Sequence, residues 1–439
     1  MPEIKSGCRE YRCLTNRRGF LRVGAIGGLG LSLADALRQS SQAATPRTAK
    51  AKSVILLWLQ GGVSHHETFD TKPDATADVR GEMVPITTNL PGVFIGEHLP
   101  RLATMMDKLA VIRSVTHSEA AHQRGSMYMV EGRRPPKATG VEASGHPHLG
   151  CIVGHELGMR NGVPPYVTNP GNDFTAKFVG PGSLPLSAAG FKGVNASSLK
   201  VGSGFSSDRF GGRVSLRDSL EAAGGNLTGS RTGRTWDQFD DQAIDIIASA
   251  KAAQAFDWQS ESEDTKQLYG ISRQGQMGSL SLTARRLVEA GVRFVTIGRN
   301  SWDHHSNMFP QLRSRLPRFD AAFAGLVTDL ERRGMLDETL VVYLTEFGRT
   351  PKVNSQAGRD HWPGVFSVAF AGAGISTGQI IGASDQDGAR PIEDPVSPEQ
   401  IAATILHLVG IPPQSTYLGQ DHRPHFYVDD AQPIASLLI

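Results

Sequence analysis

The residues able to do chemistry fall into five short segments. Gly61-Gly62-Val63-Ser64-His65-His66-Glu67 is the first, and His117-Ser118-Glu119-Ala120-Ala121-His122 the second. Trp302-Asp303-His304-His305, Thr345-Glu346-Phe347-Gly348-Arg349 and Gly358-Arg359-Asp360-His361-Trp362 follow. Carboxylates and imidazoles brought together offer the oxygen and nitrogen donors that a divalent cation takes, zinc first, with manganese, magnesium or calcium as alternatives. Asp303, His305, Glu346, Asp360 and His361 are the candidate ligands. Cysteine is missing from the set, which excludes a thiolate zinc site. Each segment also has a plainer reading. Asp303 could brace a turn, and Glu346 could be ion-paired to Arg349, since an unpaired carboxylate at a buried strand end is costly.

Ser118 is the candidate nucleophile. Thr116-His117-Ser118-Glu119 has the spacing of a capping box and predicts a helix starting there. A hydroxyl in the first turn, beside a cation, would have its pKa lowered by both. His122, one turn on, would share a face with Ser118 and either bind the ion or contact a leaving oxygen. Ser118 and His122 are therefore the catalytic candidates.

The elements that must position these groups alternate. Apolar runs at residues 53–60, 109–116, 292–298, 340–345 and 366–371 read as buried strands. Helical patterns occupy 240–255, 280–290 and 316–333, and Ser397-Pro398-Glu399 opens a last helix over 401–409. The alternation predicts an α/β domain, a doubly wound, mostly parallel sheet with helices on both faces. All five chemical segments lie at or after the carboxyl ends of strands, where such sheets carry their sites. Six of the 14 histidines (His65, His66, His117, His122, His304, His305) lie just beyond a strand, and His361 follows the fourth strand by a loop. Residues 160–235 are rich in Gly, Ser, Pro and Asn and read as a loop-rich insertion within one domain over 46–439.

With 439 residues, 39% apolar and 20% charged, the chain has a globular composition. Its 45 basic and 43 acidic residues argue against a nucleic-acid partner. No apolar run long enough to span a bilayer follows residue 50, so no integral membrane domain is expected there. Residues 1–45 are a different matter. Asn16-Arg17-Arg18-Gly19-Phe20-Leu21 precedes a mildly apolar run and the small residues Ser41-Gln42-Ala43-Ala44. This resembles a twin-arginine signal peptide, implying the twin-arginine export machinery as a partner and a periplasmic or otherwise exported protein, anchored if the signal stays uncleaved. Of the three cysteines, Cys8 and Cys13 fall in this leader, so Cys151 alone would remain and no internal disulfide would form.

Taken in order, the motifs resemble the DUF1501 proteins of bacteria, within the alkaline phosphatase/sulfatase superfamily. The resemblance covers roughly residues 50–435. It rests on Gly61-Gly62 with Phe69-Asp70-x-Lys72-Pro73, on Gly96-Glu97-His98-Leu99-Pro100, on Trp302-Asp303-x-His305, and on the segments around Glu346 and His361. It implies an alkaline-phosphatase-like fold with paired divalent metals and hydrolysis or transfer of a phosphate or sulfate ester on a small molecule or polysaccharide. It also implies that Ser118, in a segment similar to that around the nucleophile of cofactor-independent phosphoglycerate mutases, is the attacking group. Asp303 and His305 look like one metal pair, Glu346 like part of a second, and His361 like a late metal histidine beside Asp360. Gln60 stands where the superfamily's first metal aspartate is expected, and the sulfatase formylglycine signature is absent. The alternative is a non-catalytic exported binding or scaffold protein on the same fold. A nucleotide site at Gly372-Ala373-Gly374 lacks the dinucleotide fingerprint.

Overall fold

Residues 53–59 read SVILLWL, and all seven are buried. A strand with no solvent face needs a partner layer on each side, and both layers are present. In the computed structural model, which describes residues 49–136, 145–169, 180–192, 250–271, 276–299, 301–419, 421 and 423–439, this strand is central to an eight-stranded sheet. The arginine-pair leader, most of the 160–235 stretch and the start of the 240–255 helix lie outside the described residues.

The sheet comprises β1 (Ser53–Leu59), β2 (Leu109–Val115), β3 (Tyr166–Asn169), β4 (Phe191–Lys192), β5 (Phe294–Arg299), β6 (Thr339–Leu344), β7 (Phe366–Gly372) and β8 (Gln379–Ile381). Their spatial order is β8-β2-β7-β6-β1-β5-β3-β4. β1 runs parallel to β5 and β6, with Leu57 level with Ile297 and Tyr343. Among the described residues, the helices of eight residues or more that frame it are α1 (His122–Glu131), α2 (Leu149–Leu157), α3 (Gln276–Ala290), α4 (Met308–Arg332) and α5 (Pro398–Leu408).

Alternation along β1 divides the core in two. Ile55, Leu57 and Leu59 pack with Leu282 and Leu287 of α3 and Phe319 and Phe323 of α4. Val54, Leu56 and Trp58 pack on the other face with Met129 of α1, Ile152 of α2 and Ile401 and Ile405 of α5. Each such buried side chain stabilises the fold by roughly 1.5–3 kcal/mol. The α/β class expected from the sequence is the one observed. α5 also begins as its sequence predicts. Ser397 accepts from Gln400 N, the Gln400 side chain accepts from Ser397 N, and Pro398 opens the first turn.

Two features differ from the expectation. β7 is antiparallel to both its neighbours, β2 and β6. The chain between β6 and β7 has no crossover helix. It returns through a loop in which Gly348–Arg349 pairs antiparallel with His361–Trp362, and without a crossover the next strand must reverse. The amino end of β7 therefore shares an edge with the carboxyl ends of β1, β5 and β6, which delivers His361 there. Second, the described parts of the 160–235 stretch add β3 and β4 to the sheet, both in parallel register. Among the described residues no helix is long and apolar enough to cross a membrane.

Candidate metal centre

Glu346 follows β6 directly and is fully buried. Its Oε1 accepts the Gly61 amide at 2.8 Å and meets His122 Nδ1 at 2.6 Å, and its Oε2 lies 3.3 Å from the Thr345 hydroxyl, which donates to the Leu59 carbonyl at 2.8 Å. Asp303 lies in the loop after β5, against the turn that ends β1. The approach needs glycine: a Cβ on Gly61, whose φ is +125°, would sit 2.4 Å from the Asp303 amide nitrogen.

Three imidazoles surround Asp303, and each has one nitrogen fixed from behind. His361 Nδ1 donates to the Ala120 carbonyl at 2.8 Å, so in the neutral ring Nε2 carries the lone pair, 3.2 Å from Asp303 Oδ1. His305 Nδ1 meets Asp360 Oδ1 at 2.6 Å, which turns its Nε2 toward Asp303 Oδ1 at 3.0 Å and toward His361 Nε2 at 3.0 Å. His122, held at Nδ1 by Glu346, places Nε2 3.1 Å from Asp303 Oδ2. That nitrogen is buried and lacks hydrogen-bond alignment. Phe347 packs on the His361 and His122 rings, with centroids 4.5 and 5.1 Å away. Metal-binding histidines are characteristically oriented by a carboxylate or carbonyl on the far nitrogen, and all three rings have that support. His122, Asp303 and His361 each offer a ligand atom, all within 4.8 Å of one another.

The electrostatics follow from these contacts. Burial pulls the His122 pKa down, but Asp303 and Glu346 outweigh it and raise it to about 9. Burial would lift the Asp303 carboxyl, yet His122, His361 and Arg349 hold it far below the usual carboxylate range. The His305 hydrogen bond lowers Asp360.

Glu346 and Asp360, expected among the ligands, each meet the far nitrogen of a histidine that faces Asp303. Asp303, His305 and His361 come together, and His122 joins them. Arg349, weighed as the partner of Glu346, instead pairs with Asp303 at 2.6 Å. The helix expected at Thr116 starts later, at His122, with Ala121 at the N-cap and no side-chain cap. Thr116 N bonds to the Val396 carbonyl, and Glu119 is held by Arg124 and Arg134 at 2.7 and 3.0 Å, so the bond from Thr116 N to Glu119 that a capping box needs is taken at both ends. Ser118 is therefore an exposed loop residue rather than a first-turn one, and its Oγ accepts from Arg134 at 2.8 Å. The loop is stitched to the centre on either side of it, through His117 Nε2 donating to the Glu346 carbonyl at 2.7 Å and through the Ala120 carbonyl.

The remaining strand-end histidines do not reach Asp303. His65 and His66 donate to the Gly388 and Asp387 carbonyls, both at 2.9 Å, and burial lowers the pKa of each. His304 is buried and lowered to about 4, chiefly by desolvation. Sequence reasoning missed the Ala120 carbonyl, which no side-chain pattern reveals, and the Arg134–Ser118 contact.

Solved structures similar to this chain include an alkaline phosphatase from the Antarctic bacterium TAB5, at 12% identity over 82% of this chain and 98% of that one, with a TM-score of 0.40. The PsFucS1 sulfatase from Pseudoalteromonas sp. is 12% identical over 86% and 70%, with a TM-score of 0.38. The lipoteichoic acid synthase LtaP from Listeria monocytogenes is 10% identical over 83% and 73%, with a TM-score of 0.34. No curated protein matches the sequence. Residues 51–438 match the family described as protein of unknown function (DUF1501), and the chain belongs to that family.

Proposed function

We propose that this chain is an exported, metal-dependent hydrolase or transferase acting on a phosphate or sulfate ester of a small molecule or polysaccharide. One observation carries the reading: three imidazoles, each fixed at its far nitrogen, converge on a single carboxylate. His122, His361 and Asp303 are the donors, with His305 beside them, and Glu346, Asp360 and the Ala120 carbonyl hold the three rings. Nitrogen and carboxylate donors of this kind suit zinc, with manganese, magnesium or calcium as alternatives. A divalent cation bound there supplies a Lewis acid for an ester's non-bridging oxygen.

The chain's own residues divide the remaining work. Ser118 is the candidate nucleophile, on a loop tied to the centre at His117 and Ala120. Arg134, donating to Ser118 Oγ, places a positive charge where an anionic ester group would approach. His122, on the ordered end of the same segment, is a donor to the ion and no longer needs to be the group on the leaving oxygen. The test is the metal-loaded protein on a panel of aryl phosphate and sulfate esters. Turnover is expected, falling at least about a hundredfold in Ser118→Ala if the hydroxyl attacks. Turnover unchanged by both Ser118→Ala and His361→Ala would refute the reading.

A second reading, a binding protein without turnover, is favoured by Gln60 at the end of β1 and by the hold of Arg349 on Asp303. A protein that binds the ion yet leaves every ester intact would support it.

A further inference from the structure

We infer that the centre takes one divalent cation, with the guanidinium of Arg349 serving as its second, permanent positive charge. The inference rests on the metal-dependent reading above. Arg349 is 1% exposed, and four of its five N–H groups are engaged. Nε donates to the Gly62 carbonyl and Nη1 to the Arg359 carbonyl, both at 2.8 Å. Nη2 reaches Asp303 Oδ1 at 2.6 Å, the Trp302 carbonyl at 3.4 Å and the Gly61 carbonyl. Four carbonyls and a carboxylate oxygen make an oxygen-rich cage of the sort a hard cation would occupy, and the guanidinium fills it. Buried there, it is closed off from a substrate.

Donor chemistry gives the same count. A neutral imidazole has one lone pair, so His361 Nε2, which faces both His122 and His305 across Asp303, serves one ion. A second ion would be left with His305 and an Asp303 oxygen already claimed by Arg349. Glu346 stands behind the His122 ring, its Oε1 taken by Gly61 and His122. Charge agrees as well. The three carboxylates Asp303, Glu346 and Asp360, less the guanidinium, leave two formal negative charges, which one divalent ion balances. A second would leave the centre with two formal positive charges in excess. The other nearby guanidinium, Arg359, is matched by buried Glu67 at 2.6 Å.

The experiment is zinc titration of the metal-free full chain by calorimetry, with zinc per chain measured after desalting. One ion per chain is expected. Two per chain would overturn this inference and leave the metal-dependent reading standing, whereas none would overturn both. Arg349→Gln gives a further arm. It frees Asp303 Oδ1 and removes a like charge, so zinc should bind at least tenfold tighter or as a second ion, while Arg349→Lys should hold the count at one. Unchanged count and affinity in a folded Arg349→Gln protein would overturn the inference. Should Arg349→Gln not fold, the count in the wild-type protein decides alone.

Discussion

Metal binding at this centre should release a proton, and the proton should come from His122. Held between Glu346 Oε1 at 2.6 Å and Asp303 Oδ2 at 3.1 Å, its imidazole has a pKa raised to about 9. At pH 7 only about one ring in a hundred is neutral, so an ion needing Nε2 binds about a hundredfold more weakly than to the deprotonated site, a cost of about 3 kcal/mol. Between pH 6.5 and 8.5 the logarithm of the zinc association constant should rise with a slope near one. Calorimetry in buffers of differing ionisation enthalpy should report about one proton released per ion at pH 7. Glu346→Gln removes one of the charges that hold the proton on. It should flatten the slope above pH 7, even where weaker positioning of the ring lowers the affinity itself. A pH-independent affinity and no released proton in the wild-type protein would refute the argument, because His122 would then be neutral or no ligand.

Three further outcomes follow from the same coordinates. His148 is buried, accepts from Gly150 N at 2.8 Å and stacks on Tyr166, and desolvation lowers its pKa to about 3. A folded pKa below the unfolded one gives stability that is present above about pH 6.5 and lost as pH falls. Denaturant titrations should therefore lose about 2 kcal/mol from this ring between pH 6.5 and 4.5, and His148→Gln should lack that increment. Leu57→Ala, in the middle of β1, should cost about 2–5 kcal/mol by denaturant midpoint with the m-value unchanged. Gly61→Ala should lower zinc affinity more than tenfold, because the added methyl collides with the backbone of Asp303 and Trp302, and unaltered affinity would show that the turn does not set the Asp303 position.

How much of this was legible in the sequence depends on the range of the interaction. Five of the eight described sheet strands were visible because continuous apolar runs such as Val54–Leu59 read as buried strands, whereas β3, β4 and β8 are too short to give such a run. The direction of β7 was not, since Phe366–Ala371 is equally apolar either way and the missing crossover helix decides it. The convergence of Asp303, His305 and His361 followed from strand-end placement alone. The positions of Glu346 and Asp360 behind the rings did not, because residue type does not say on which side of an imidazole a carboxylate will sit. The capping box at Thr116 failed for a related reason. Val396, Arg124 and Arg134 compete for its groups, and two of these three lie well outside the local window that defines the pattern.

The measurement closest to the central claim is anomalous diffraction at the zinc edge from crystals of the zinc-loaded protein. The account predicts one strong peak about 2.0–2.2 Å from His122 Nε2, His361 Nε2 and an oxygen of Asp303, with Arg349 still bound to that carboxylate. A map without a peak there, the imidazoles remaining closed on Asp303 at fully loading zinc concentrations, would contradict it.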